Sequence, residues 1–154
     1  MFLPVCHSSH FYELVAVLDP VEPVLVILES LGGIYSKEPP VATEFKEFLC
    51  EQKQLLDGSR LVFKTSTPSV PKQAASSNDC GVFLVQFMRK IVENPQNFIE
   101  RVENCDFSDW FPPQCVAGLR DEMSKLLYLM ANEQRMPSQV LAGESLQITE
   151  LKFS

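Results

Sequence analysis

The chain has 154 residues, 45% of them hydrophobic and 21% charged, which is the composition of one globular domain and excludes a disordered or fibrous chain. Its formal net charge of −7 creates a field that repels phosphate backbones, so nucleic acid is not expected as the main partner. No apolar run approaches the roughly 20 residues of a membrane span and the N-terminus lacks the basic start of a secretory signal, so an intracellular chain is expected, with no membrane association.

A domain of this size buries roughly 70% of the surface its unfolded chain exposes, and needs neither disulfide nor metal to hold it. Five cysteines (Cys6, Cys50, Cys80, Cys105, Cys115) form no CxxC pair, and the two histidines, His7 and His10, both lie near the N-terminus. This pattern argues against a zinc site. The odd count suits a reducing compartment, where a thiol stays free to react.

In chain order, Leu14 to Leu18 and Val24 to Leu28 are short Val- and Leu-rich segments separated by a Pro-containing break, and the pattern predicts paired antiparallel strands. Gly32 and Gly33 end the second. The spacing of Phe45, Phe48, Leu49, Leu55 and Leu56 predicts an amphipathic helix stopped by Gly58. Leu61 to Lys64 reads as a third strand, followed by a polar loop with Pro68 and Pro71. After Asp79, the apolar positions Val82, Phe83, Val85, Phe87, Met88, Ile91 and Val92 predict a core helix stopped by Asn94-Pro95. Trp110 and Phe111 anchor a last helix from about Val116 to Met130, and a flexible tail is expected over residues 132–154, leaving 1–131 as the domain. The sequence of elements is α+β.

Chemistry concentrates in Pro71-Lys72-Gln73-Ala74-Ala75-Ser76-Ser77-Asn78-Asp79-Cys80-Gly81-Val82-Phe83. With Asp79 as N-cap, Cys80 falls in the first helical turn, where the dipole and unpaired amides favour a thiolate and offer an oxyanion site. Gln73 can add a side-chain amide donor, and Gly81 keeps the approach clear. An inert core cysteine is the ordinary alternative. A nucleophilic cysteine needs a base, and the base an orienting acceptor. His10 precedes the first predicted strand and Glu29 ends the second, so pairing of those strands would bring imidazole and carboxylate together. A solvent-facing Glu29 is equally compatible with the pattern.

Gln73 with Asp79-Cys80-Gly81-Val82-Phe83, the segment Glu29-Ser30-Leu31-Gly32-Gly33, and Leu3-Pro4-Val5 leading to His10 resemble the Ulp/SENP family of SUMO-specific cysteine proteases, over roughly Phe2 to Leu129. Val70-Pro71-Lys72-Gln73 and Asp109-Trp110-Phe111-Pro112-Pro113 are similar to the branch that prefers SUMO chains. The resemblance implies a papain-like α+β fold, with a small mixed sheet packed against helices, and cleavage after the Gly-Gly terminus of a SUMO-type modifier. It implies no cofactor, a nuclear location, and SUMO-type modifiers and their conjugates as partners. By position, Cys80 is nucleophile, His10 general base, Glu29 the orienting carboxylate and Gln73 an oxyanion donor. A catalytically degenerate, modifier-binding relative is the alternative.

The sequence departs from that family in three places. Glu29 stands where the family has Asp. His10-Phe11 replaces His-Trp, with two further residues before Leu14: alignment from Pro4 puts the base on His10, whereas gapless alignment back from Glu29 puts it on Tyr12. In an extended strand the two positions differ by roughly 7 Å, unless a bulge absorbs the insertion. The upstream helices that open family domains are expected to be missing.

Overall fold

A computed structural model describes residues 1–19, 21–32 and 38–133. Its elements run β1 (Phe2–His7), β2 (His10–Val17), β3 (Val24–Leu28), α1 (Pro40–Asp57), β4 (Lys64–Ser66), α2 (Cys80–Glu93), α3 (Pro95–Asn104) and α4 (Cys115–Glu133). The four strands form one sheet in the order β1-β2-β3-β4, antiparallel except for the parallel pair β3–β4. The expected α+β class and small mixed sheet are both present.

β1 and β2 form a hairpin through Ser8 and Ser9, both at positive φ (51° and 62°), as a two-residue turn with the twist of the strands requires. Its register is regular from Phe2 opposite Val15 to His7 opposite His10, without a bulge. β1 was not expected, and His10 begins β2 where it was expected to precede it. The pairing of β2 with β3 is antiparallel, as the short Pro-containing connection predicts.

Alternation along the strands sends Tyr12, Leu14 and Ala16 of β2, with Leu25 and Ile27 of β3, to one face, where Ala42, Phe45 and Leu49 of α1 complete a buried core. α1 ends at Gly58, whose φ of +74° suits a residue without Cβ, as the sequence indicates. The other face of β2 presents Phe11, Glu13 and Val15, and α2 packs there with Gly81 under the Phe11 ring. Phe83 and Phe87 of α2, Phe98 of α3, and Phe107, Trp110 and Phe111 stack into an aromatic cluster with ring centroids 4.8 to 6.2 Å apart among its closest pairs. Trp110 and Phe111 are thus core residues, packed on α2 and α3.

Three details differ from the sequence expectation. The strand placed at Leu61 to Lys64 is β4, which starts at Lys64. Asn94-Pro95 does stop α2, but it also opens α3: Asn94 Oδ1 accepts from the Asn97 N–H at 3.0 Å, and proline occupies the first turn, where its missing N–H costs nothing. Asp79 stands at the N-cap position of α2 without a side-chain capping bond. Contacts cluster Met1–Leu119 as one compact unit and Arg120–Ser154 as another, with α4 beginning in the first and continuing into the second. Of the tail expected at 132–154, Asn132 and Glu133 still belong to α4, and residues from 134 on lie outside the described residues.

Candidate active site

Cys80 is the first residue of α2 and is 8% exposed. The first helical bond runs from the Phe83 N–H to the Asp79 carbonyl at 2.8 Å, so the amides before Phe83 have no intrahelical acceptor. They gather the positive end of the helix beside the thiol, where negative charge on an attacked carbonyl would develop. A Cβ at Gly81 would come within 3.6 Å of the Phe11 ring. That contact brings the His10 end of β2 against the Cys80 end of α2.

His10 and Glu29 meet. Both are buried, and His10 Nε2 is 3.0 Å from Glu29 Oε1. The carboxylate is fixed by its own turn, Oε1 accepting from the Leu31 N–H at 2.5 Å and Oε2 from the Gly32 N–H at 2.8 Å. Glu29 therefore does not face solvent. Held this way, Oε1 lies off the ring's N–H direction, and neither imidazole nitrogen is hydrogen-bonded among the described residues. The Cys80–His10 bond is thus not made in this conformation: the ring lies on the Tyr12 face of β2, whereas α2 packs on the opposite, Phe11 face. The His10 ring stacks at 6.5 Å on Tyr12, two residues along the same face.

Gln73 is fixed by three hydrogen bonds. Its Oε1 accepts from the Ser30 hydroxyl at 2.7 Å, its Nε2 donates to the Ser77 carbonyl at 3.0 Å, and its backbone N–H donates to the Ser30 carbonyl at 3.0 Å. The side-chain amide therefore points into the loop that delivers Cys80. Gln73 and Asp79 border a cleft of about 240 Å³, with Phe83, Gln114 and Val116 on its other walls. The end of the Lys72 side chain lies over Gly32, where a Cβ would stand 2.8 Å from Nζ, and Gly32 is at φ +79°, a backbone conformation that strains any side chain. The partnership of Ser30 with Gln73, 43 residues apart, has no signal in sequence spacing.

No protein-family model matches the chain. Sentrin-specific protease 6 from Mus musculus is 30% identical over 135 residues, covering 84% of this chain and 11% of that relative. A crystal structure of a de-sumoylating protease aligns with a TM-score of 0.58 at 25% identity, over 79% of this chain and 49% of the other. The chain belongs to the Ulp/SENP family. It spans about a tenth of the length of the curated relative and half of the solved one.

Set against the Ulp/SENP pattern, the two departures near His10 are structurally linked. The strand absorbs the extra residues with no bulge, so one step beyond the last β2–β3 pair, Glu13 with Leu28, the register places Tyr12 beside Glu29 and His10 further out. Glu29 has one methylene more than the family's Asp, and its carboxylate reaches His10 despite that displacement. Exchanging Glu29 for Gln puts an NH2 group against either the Leu31 or the Gly32 N–H. The loss of a charge-assisted bond at this buried turn is expected to lower stability by about 1.5–3 kcal/mol, measured by urea unfolding of Glu29→Gln. An unchanged midpoint would show that the two backbone bonds do not hold the carboxylate.

Proposed function

We propose that this chain is a thiol isopeptidase that cuts SUMO-type modifiers after their C-terminal Gly-Gly and releases them from target proteins. The observation that carries this reading is the buried contact of His10 with Glu29 at the end of β2 that touches the Cys80 turn through Phe11 and Gly81. Cys80 Sγ attacks the isopeptide carbonyl and its proton passes to His10. The tetrahedral oxyanion sits on the first-turn amides of α2 and the Gln73 amide. His10 then returns the proton to the departing lysine amine, and water, deprotonated by His10, hydrolyses the thioester to the modifier's free carboxylate and the regenerated thiol.

A SUMO-type modifier carrying a C-terminal electrophile tests this directly. The expected result is one covalent adduct at Cys80, located by peptide mass spectrometry and absent from Cys80→Ala. Absence of any adduct while the modifier still binds would favour a second reading, a modifier-binding module that no longer cleaves. What favours that second reading is the unformed hydrogen bond between His10 and the thiol, together with Tyr12 in the register position beside Glu29.

A further inference from the structure

The geometry points to Ser30 as a positioning residue that sets the Gln73 amide for oxyanion binding; this rests on the isopeptidase reading. Ser30 follows Glu29 and is 1% exposed, and Gln73 is 8% exposed, so their bond is out of competition with water. The direction of the amide follows from the partners. The Ser77 carbonyl can only accept, so the group facing it is NH2; the other end is then the carbonyl oxygen, and the Ser30 hydroxyl must donate to it.

An amide nitrogen carries two protons, and the Ser77 carbonyl takes one. The second remains for a developing oxyanion. Donation by Ser30 to Oε1 also polarises the amide and strengthens that remaining N–H as a donor. Without the hydroxyl, Oε1 loses its partner among the described residues and the amide is held only through Nε2 by the Ser77 carbonyl, so it can pivot and carry the second N–H away from its direction. The backbone bond from the Gln73 N–H to the Ser30 carbonyl survives any side-chain change at 30, so the loop stays attached while the amide loses its orientation. The base-orienting carboxylate and the anchor of the oxyanion donor are consecutive residues at the end of β3.

The test is a double-mutant cycle on the whole chain, read with a SUMO-type modifier bearing a fluorogenic C-terminal amide, beside proton–nitrogen NMR of the Gln73 side chain. Gln73→Ala is expected to lower kcat about a hundredfold with KM unchanged, and Ser30→Ala about tenfold. The double variant is expected to be no slower than Gln73→Ala alone, because Ser30 acts only through Gln73. Ser30→Thr keeps the hydroxyl and should recover most of the rate. In the parent, the two Gln73 Nε2 protons should be displaced from the shifts of a free glutamine amide and protected from exchange with water, and in Ser30→Ala both should move toward the free-amide values. A tenfold loss from Ser30→Ala that persists in the Gln73→Ala background would overturn the proposal, as would unchanged Gln73 signals in Ser30→Ala. A parent chain without turnover would overturn the isopeptidase reading and the catalytic part of this role with it, while the Gln73 signals in the same sample would still decide whether Ser30 orients the amide.

Discussion

Cys80→Ala is expected to abolish cleavage of a modifier fusion while leaving modifier binding intact, since a single sulfur is lost from a position that is already 8% exposed. His10→Ala is expected to lower kcat by about three orders of magnitude, because the same imidazole takes the thiol proton and supplies the leaving amine. The decisive comparison is with Tyr12. Its side chain is 1% exposed and belongs to the core that Leu14, Ile27 and Phe45 form against α1. An imidazole placed there by Tyr12→His enters an apolar environment and leaves a void where the phenol ring was. Tyr12→His is therefore expected to cost stability and not to rescue His10→Ala. Rescue, measured as recovered kcat in the double variant, would transfer the base to position 12 and show that the natural chain is a degenerate protease.

The second large effect concerns Glu13, which sequence reasoning passed over. It is fully buried on the β2 face against which α2 packs, and neither carboxylate oxygen has a hydrogen-bond partner among the described residues. Burial pushes its carboxyl up to about 8 from the ordinary 4.5, while the Met1 ammonium pulls more weakly the other way. The folded state thus holds this proton more tightly than the unfolded chain. Below pH 4.5 the group costs nothing through ionisation; between 4.5 and 8 each pH unit removes about 1.4 kcal/mol of stability, and above 8 the loss levels off. By pH 7 that amounts to roughly 3 kcal/mol, against a total of about 5–15 for a domain. Glu13→Leu removes the group, so its stability advantage over the parent should grow with pH from 5 to 8 and then stay constant, measured by urea unfolding at four pH values. Parallel profiles for the two proteins would refute the assignment.

Much of the frame was legible because its signals are local. Gly58 stops α1, the apolar period after Gly81 gives α2, and the short Pro-containing link predicts β2 against β3. The meeting of His10 and Glu29 was expected from the pairing of β2 with β3, although the register sets Tyr12 beside Glu29 and the length of the Glu29 side chain closes the distance to His10. What escaped was ambiguous or nonlocal. Ser8-Ser9 is not the Asn-Gly signature of a tight hairpin, and β1 is largely exposed, so it carries little hydrophobic pattern. Asn94-Pro95 reads equally as a stop and a start, and here it serves as both. β4, three residues at a parallel sheet edge, is too short for alternation to locate. Asp79 has the right chemistry for a cap but does not form one, and the grip of Ser30 on Gln73 exists only in three dimensions.

The turn after β3 has a mechanical consequence. Within four residues, the Glu29 carboxylate binds the Leu31 and Gly32 amides, Ser30 grips Gln73 by side chain and backbone, and Gly32 makes room for Lys72. These bonds share one short piece of backbone, so they break together when it opens. The imidazole loses its carboxylate in the same event that frees the loop leading to the thiol. Local opening of this turn is therefore expected to release both halves together.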